Sequence, residues 1–240
     1  AARWAGVGVT GPLAVLEGPQ GLFAATCSAP RPERLIEDAP WWIDDVSFKP
    51  WPACRHAHAT IDAALLVRAA MAQRSPTQIR TVEIASYGDA LTFCNRAEPQ
   101  NEAEAKFSLQ HCAAVVLALG LPEALHFRQP FLRDRRVAAL RAATTTRRDG
   151  NFDAAYPEHY GARVEVELHS GERLFATVRD ALGDPANPLD SDALTAKAAT
   201  LITDVGIDDR NADALIEHIL AAPSELPTGD WYREALSWTH

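Results

Sequence analysis

A short segment near residue 50 carries the densest group of side chains that can do chemistry. It supplies an ammonium, a thiol, a guanidinium and two imidazoles, from Lys49, Cys54, Arg55, His56 and His58. Prolines stiffen the chain here and a helix is predicted to start at its end. Helix starts offer free N–H groups that favour anions, and Arg can bind a carboxylate through two parallel hydrogen bonds. The segment therefore indicates a carboxylate site in which Lys49 and Arg55 are the cations.

Two other interpretations of this segment remain open. One is structural, because solvated charges near helix starts are common. The other is a metal site, since Cys54, His56 and His58 would point the same way in an extended chain, and Cys and His both bind zinc. A fourth ligand is not evident, so we predict no metal here. We also predict no cofactor, because the glycines between Gly6 and Gly11 do not lie between a clear strand and a helix.

A second polar cluster surrounds the start of another predicted helix. Asn95 and Arg96 lie in the loop before that helix, where they could contact a ligand. Asn101 has the residue type and position of a helix cap. Glu102 and Lys106 are spaced for a favourable ion pair on the helix surface, which gives Lys106 a structural explanation.

Regular elements on both sides must position these clusters. Hydrophobic spacing and breaking residues predict the boundaries of each element. We expect an extended segment over 41–49, a helix over 58–73, a strand over 78–86, a long helix over 102–119, a helix over about 130–141, a turn at 147–150, an antiparallel hairpin over 162–179, a helix capped by Asp190 or Ser191 that runs to about Thr203, and a last helix before Pro223. This mixture of helices and strands is typical of an α+β protein.

Composition narrows the class of protein. The chain has 240 residues, 47% of them hydrophobic, and a formal net charge of −9. Such a chain can bury a core, but it lacks the clustered positive charge that nucleic-acid binding needs. It has no apolar run long enough to span a bilayer and no signal-like start. Four widely spaced cysteines fit reduced thiols. We therefore expect a cytoplasmic protein with neither a nucleic-acid nor a membrane partner.

Several stretches, in this order along the chain, resemble the MmgE/PrpD family. They are residues 10–18, 48–62, 95–108 and 182–197. The family includes 2-methylcitrate dehydratase, cis-aconitate decarboxylase and iminodisuccinate epimerase. The resemblance covers nearly the whole chain and rests on the joint order of these stretches.

The resemblance implies a two-domain architecture, in which a small mixed α/β lid domain is inserted between pieces of an all-helical domain. On this basis residues 1–44 are the end of the first helical segment, 45–180 the lid and 181–240 the returning helices. The active site of such proteins lies between the lid and the helical domain. The resemblance also implies a homodimer formed through the helical domain.

The resemblance further implies lyase chemistry on a small di- or tricarboxylate such as 2-methylcitrate. Negative charge develops when a proton next to a carboxylate is removed, and positioned cations stabilise it. Lys49 corresponds to a lysine of the family site, and His58 or His56 is the acid–base candidate. The predicted substrate contacts are Arg55, Cys54, Asn95, Arg96 and Phe93.

Two departures from the family pattern bear on the reaction. The decarboxylase branch has His in place of Cys54 and Tyr in place of Phe93, which argues against decarboxylation of cis-aconitate. Family proteins are also longer, with an N-terminal helical segment that brings acidic, Thr and His residues to the site. We therefore expect either a lyase whose site is incomplete in this chain, or a non-catalytic chain that binds a partner supplying that segment.

Overall fold

The computed structural model describes residues 2–35 and 42–221, which fall into two compact units. The first unit, Ala1–Asp45, contains two short helices, α1 (Ala2–Gly6) and α2 (Leu22–Thr26). It also contains 3-10 turns at Pro32–Leu35 and Trp42–Asp45. The second unit runs from Val46 to the end of the chain and contains the remaining described elements.

The second unit combines eight described helices with one sheet. The helices are α3 (His58–Met71), α4 (Gly88–Cys94), α5 (Glu102–Lys106), α6 (Leu109–Leu119), α7 (Arg135–Ala142), α8 (Gly150–Ala155), α9 (Ser191–Thr203) and α10 (Asp209–Leu220). The strands are β1 (Ile79–Ser86), β2 (Thr144–Arg148), β3 (Ala162–Leu168) and β4 (Arg173–Val178). This combination confirms the predicted α+β class.

The sheet is mixed, with the strand order β2-β1-β3-β4. β1 pairs in parallel with β2 and antiparallel with β3, and β3 pairs antiparallel with β4. Alternate residues of β3 are buried, as expected for a sheet with one face against the core. α3 packs against β3, β4 and α6, and α6 packs against α7. The core therefore lies between these helices and one face of the sheet.

The predicted long helix over 102–119 is wrong, because the structure divides it into α5 and α6. Ser108 separates them, and its hydroxyl accepts a hydrogen bond from the His111 amide at 3.0 Å. A serine in this position favours a helix cap over the helix interior. The apolar sequence over Cys112–Leu119 predicts burial, and the structure buries Cys112–Ala118 throughout and Leu119 in part.

Three other local predictions need correction. Trp42–Asp45 forms a 3-10 turn, so the extended segment over 41–49 is wrong there. The predicted turn at 147–150 is wrong, because Arg147 and Arg148 end β2 and Asp149 caps α8. The helix predicted over 130–141 begins later, at Arg135.

Other local predictions are confirmed. α3 and β1 lie within one or two residues of their predicted bounds, and β3 and β4 form the predicted hairpin. Asp190 caps α9, accepting a hydrogen bond from the Ala193 amide at 2.8 Å. Pro223 lies outside the described residues. No helix within residues 2–35 and 42–221 is both long and apolar enough to cross a membrane.

Candidate functional site

The backbone entering α3 is anchored to distant parts of the second unit. The Phe48 amide donates to the Gly183 carbonyl at 2.8 Å, and the Cys54 amide donates to the Lys106 carbonyl at 2.8 Å. Cys54 is followed by a 3-10 turn over Arg55–Ala57, which leads directly into α3. The predicted site segment therefore has a fixed path instead of a solvated, extended one.

Asp62 ties the first turns of α3 to two other segments. Its carboxylate accepts a hydrogen bond from the Trp51 indole at 2.7 Å and another from the Leu182 amide at 2.7 Å. Burial raises the pKa of Asp62, while these two hydrogen bonds act in the opposite direction. Asp62 is thus a scaffold residue that holds the segment before α3 against the segment before α9.

Arg55 is already paired with an acidic side chain. Its guanidinium forms a salt bridge with Asp184, which also accepts a hydrogen bond from the Ser47 hydroxyl at 2.9 Å. The guanidinium carbon lies 4.5 Å from the centre of the Tyr160 ring. Nη1 is buried, with no hydrogen-bond partner among the described residues. One edge of the guanidinium is therefore committed to Asp184.

His56 lies in a cluster of aromatic rings, which we call the aromatic cluster. Its members are His56, Tyr87, Phe93, Tyr156 and Tyr160. The His56 ring stacks on Phe93 with centroids 5.2 Å apart and planes inclined by 20°. Its Nδ1 lies 2.7 Å from the Tyr87 hydroxyl oxygen. Burial lowers the pKa of His56, so the imidazole is neutral at neutral pH.

The three tyrosines of the aromatic cluster support one another. Tyr87 is fully buried and stacks on Tyr156, with ring centroids 4.5 Å apart. Tyr160 meets Tyr156 edge to face at 5.3 Å. A hydrogen bond to Asp89 raises the pKa of Tyr156 to about 12, so this side chain remains a phenol. Phe93 is 48% exposed and forms an open side of the aromatic cluster.

Sequence reasoning missed these tyrosines and Asp89. The signal that unites them is strand register, because Ser86 at the end of β1 pairs with Ala162 at the start of β3. Tyr87 follows β1 and Tyr160 shortly precedes β3, so the antiparallel pairing brings them to the same edge of the sheet. A prediction of strand pairing, in addition to strand position, would have identified Tyr87 and Tyr160 as neighbours.

His58 lies in the core. It is 0% exposed, its Nε2 lies 3.3 Å from the Ala53 carbonyl oxygen, and its Nδ1 has no partner among the described residues. Burial lowers its pKa to about 4. His58 is therefore a neutral interior residue, whereas His56 lies in the aromatic cluster beside the partly exposed Phe93.

Cys54 and Cys94 form a thiol pair next to this segment. Cys54 is half-buried and Cys94 is fully buried. A hydrogen bond with Cys94 lowers the pKa of Cys54 to about 6, and the charge of Lys49 acts in the same direction. The same hydrogen bond, together with burial, raises the pKa of Cys94. Both interactions favour the thiolate form of Cys54.

The lysine side chains differ in their surroundings. Lys49 is exposed, and its backbone carbonyl accepts a hydrogen bond from the Lys197 ammonium. Lys106 pairs with Glu102 at 2.7 Å, which confirms the predicted helix-surface pair. Lys197 thus anchors the backbone of the segment that leads to α3, while Lys49 itself is exposed.

The two imidazoles of the metal interpretation do not point the same way in the structure. His56 is directed to Tyr87 and Phe93, while His58 is directed to the Ala53 carbonyl. Within the described ranges, no three His, Cys, Asp or Glu side chains come together to hold a metal ion.

Asn95 and Arg96 brace the loop before α5. The Asn95 carbonyl oxygen accepts from the Gln110 amide at 2.6 Å and from the Thr146 hydroxyl at 3.1 Å. Arg96 donates to the backbone carbonyls of Phe93 and Phe107. Both side chains are exposed, and these bonds fix the loop that follows Phe93.

Two comparisons with known proteins agree with this arrangement. The sequence pattern of the MmgE/PrpD C-terminal domain matches residues 51–221. A 2-methylcitrate dehydratase-like protein of Aspergillus oryzae is 29% identical over 159 residues, which cover 62% of this chain and 32% of that protein. The chain thus spans about a third of the length of this relative.

Proposed function

The chain belongs to the MmgE/PrpD family, and we propose that it forms part of a dehydratase-like lyase acting on a small di- or tricarboxylate such as 2-methylcitrate. The observation that carries the proposal is the neutral imidazole of His56, which stacks on the partly exposed Phe93 and follows Arg55 directly. A neutral imidazole can exchange a proton or a hydrogen bond with a substrate at physiological pH. The similarity to a 2-methylcitrate dehydratase-like protein supports this class of reaction.

The proposed reaction removes a proton from carbon next to a carboxylate and a hydroxide from the neighbouring carbon. The C–H electron pair becomes the new carbon–carbon double bond, and the hydroxide leaves as water after protonation. Negative charge develops on the carboxylate oxygens during proton removal. Lys49 is the main cation for this charge, because its ammonium is exposed while Arg55 is paired with Asp184. Arg55 contributes through the free edge of its guanidinium.

Other predicted contacts take supporting roles in the proposal. Phe93 gives the substrate an apolar wall, and the Cys54 thiolate disfavours a carboxylate at its own position. Asn95 and Arg96 act through the loop that they brace. His58 lies too deep to meet the substrate, so of the two imidazoles we assign the position at the substrate to His56.

Replacing Lys49 tests the proposal directly. In the polypeptide that carries the complete site, Lys49→Ala should lower kcat/KM for 2-methylcitrate about 100-fold, as loss of a positioned charge-stabilising group does. Lys106→Ala is the matched control, because it removes an ammonium that is paired on the surface of α5. Near-normal turnover by Lys49→Ala, with Lys106→Ala also normal, would contradict the assigned role.

A second candidate function is that of a subunit. In this proposal the chain binds a separate helical chain, which supplies the helical segment that the family resemblance implies. In that case the chain alone shows no dehydration of 2-methylcitrate and gains activity when the helical chain is added. Turnover by the chain alone would contradict this candidate.

The proposal includes an architecture and a location. The sheet and its helices act as the lid over an all-helical domain, and two copies form a homodimer through that helical domain. Light scattering coupled to size exclusion measures the homodimer directly. A cytoplasmic location is supported by the cysteines, because all four are free thiols.

A further inference from the structure

The hydrogen bond between His56 and Tyr87 can be made in two ways. Nδ1 and the phenolic oxygen are 2.7 Å apart. Either the Tyr87 hydroxyl donates to a bare Nδ1, or a protonated Nδ1 donates to the Tyr87 oxygen. In a neutral imidazole these alternatives place the single ring proton on different nitrogens, so they give His56 opposite roles toward a substrate.

Burial decides between the two alternatives. Tyr87 is 0% exposed, and within the described part of the chain its hydroxyl has no hydrogen-bond partner other than His56. If Nδ1 were the donor, the phenolic proton would lie buried without an acceptor. An unsatisfied buried hydroxyl is costly, whereas donation from Tyr87 to Nδ1 satisfies both groups.

The surrounding rings preserve this geometry. The Tyr87 ring is stacked on Tyr156 with planes inclined by 13°, and the His56 ring is stacked on Phe93. Stacking on both sides restricts rotation of the imidazole and of the phenol. No described residue forms a hydrogen bond with His56 Nε2, so this nitrogen is free for a ligand.

We propose that Tyr87 is a positioning residue that fixes His56 as the neutral tautomer carrying its proton on Nε2. On the proposed function, on which this inference rests, His56 then presents an N–H donor to the substrate. A donor stabilises negative charge on a substrate oxygen, while removal of the proton next to the carboxylate falls to another group. A neutral histidine in this tautomer acts as an electrophile and not as a base.

Nitrogen NMR on the imidazole-labelled chain tests the tautomer without any need for activity. In the wild-type protein at pH 7.5, the His56 signals should show a protonated Nε2 and an unprotonated Nδ1. The spectrum of His56→Gln identifies which signals belong to His56. A wild-type protein with its proton on Nδ1 would overturn the proposal, whether or not the chain proves to be a lyase.

Two tyrosine variants test the role of Tyr87. Tyr87→Phe removes the hydroxyl and should produce a measurable fraction of the tautomer with its proton on Nδ1. Tyr156→Phe is the matched control, because it removes a neighbouring hydroxyl that bonds to Asp89 and should leave the His56 tautomer unchanged. An unchanged tautomer in Tyr87→Phe would overturn the proposal. If that variant does not fold, the wild-type spectrum alone still decides the tautomer.

Kinetics of the complete enzyme separate a donor from a base. The side-chain amide of Gln donates a hydrogen bond, whereas the carboxylate of Glu accepts a proton. His56→Gln should therefore retain kcat at least about 10-fold above that of His56→Glu, within the range of a single acid–base contribution. The reverse order would overturn the donor role, and absence of activity in the wild-type enzyme would refute the proposed function instead.

Discussion

Arg55 and Asp184 are 129 residues apart in the chain and form a salt bridge with side chains only 18% and 8% exposed. Asp184 also accepts a hydrogen bond from Ser47, so one carboxylate holds both sides of the segment that enters α3. This salt bridge occupies the Arg55 guanidinium, whereas Lys49 is exposed. Loss of the salt bridge should therefore affect the stability of the site as well as its charge.

Asp184→Ala should lower the free energy of unfolding of the second unit by about 3 kcal/mol. Removing one partner leaves a largely buried guanidinium without its counter-charge, and such changes are strongly destabilising. Urea unfolding monitored by circular dichroism measures the change. Asp192→Ala is the control, because Asp192 is exposed in the first turn of α9, and it should cost about 0.5 kcal/mol or less. Equal effects of the two variants would contradict the importance of the salt bridge.

Gly183→Ala should destabilise the protein much more than Gly171→Ala. Both glycines have φ near 90°, a conformation that strains any other residue. A Cβ at Gly183 would collide with the Phe48 carbonyl oxygen, whereas a Cβ at Gly171 meets no atom within 4 Å. We expect a cost of about 1–2 kcal/mol at Gly171 and about 2 kcal/mol more at Gly183. Similar melting temperatures for the two variants would contradict the close approach.

Cys54 should react rapidly with iodoacetamide at pH 7. Its pKa is lowered to about 6, chiefly by the hydrogen bond with Cys94, so most of it is thiolate. Cys94→Ala removes that bond and should slow modification of Cys54 about 10-fold at pH 7. Mass spectrometry of the Cys54 peptide follows the rate. Cys112→Ala removes another buried thiol and should leave the rate nearly unchanged, whereas equal rates in all three proteins would refute the thiol pair.

Buried histidines should make the protein less stable in acid. Burial lowers the pKa of His58 to about 4, whereas an unfolded histidine has a pKa near 6.5. Between these values the unfolded state binds more protons, so stability falls as pH decreases from about 6.5 to 4. The contribution of His58 to this loss is about 3 kcal/mol.

Comparison with a variant isolates this contribution. His58→Gln should reduce the difference between the free energies of unfolding at pH 7 and pH 4.5 by about 2.5 kcal/mol, because all other groups are unchanged. Burial also lowers the pKa of His111 to about 4, so His111→Gln should give a reduction of similar size. Unchanged pH dependence in both variants would show that these imidazoles are not neutral in the core.

Sequence alone predicts the elements whose signal is local. The alternation in β3 and the cap at Asp190 are examples, since each depends on residues within a few positions. β2 has the polar sequence Thr-Thr-Thr-Arg-Arg, and its strand conformation depends on pairing with β1. The local sequence gives no signal of that pairing, so the sequence analysis predicts no strand here and assigns Arg147 and Arg148 to a turn.

The candidate site was only half predictable for the same reason. Its cations and imidazoles are neighbours in sequence and could be identified as a group. Tyr87 and Tyr160 join them through the register of β1 with β3, and Asp184 joins through a contact across 129 residues. The sequence therefore indicates where the site begins, while its enclosing walls are determined by long-range pairing.

The anchoring of Asp62 to Leu182 has a consequence for the growing chain. The two residues are 120 positions apart, and a ribosome adds about 5–20 residues per second. Asp62 is therefore synthesised about 6–24 s before Leu182, whose amide donates to it. During this interval α3 can form, but the segment before it lacks the contacts that fix its path. The site therefore cannot be completed before residues 182–184 have been synthesised.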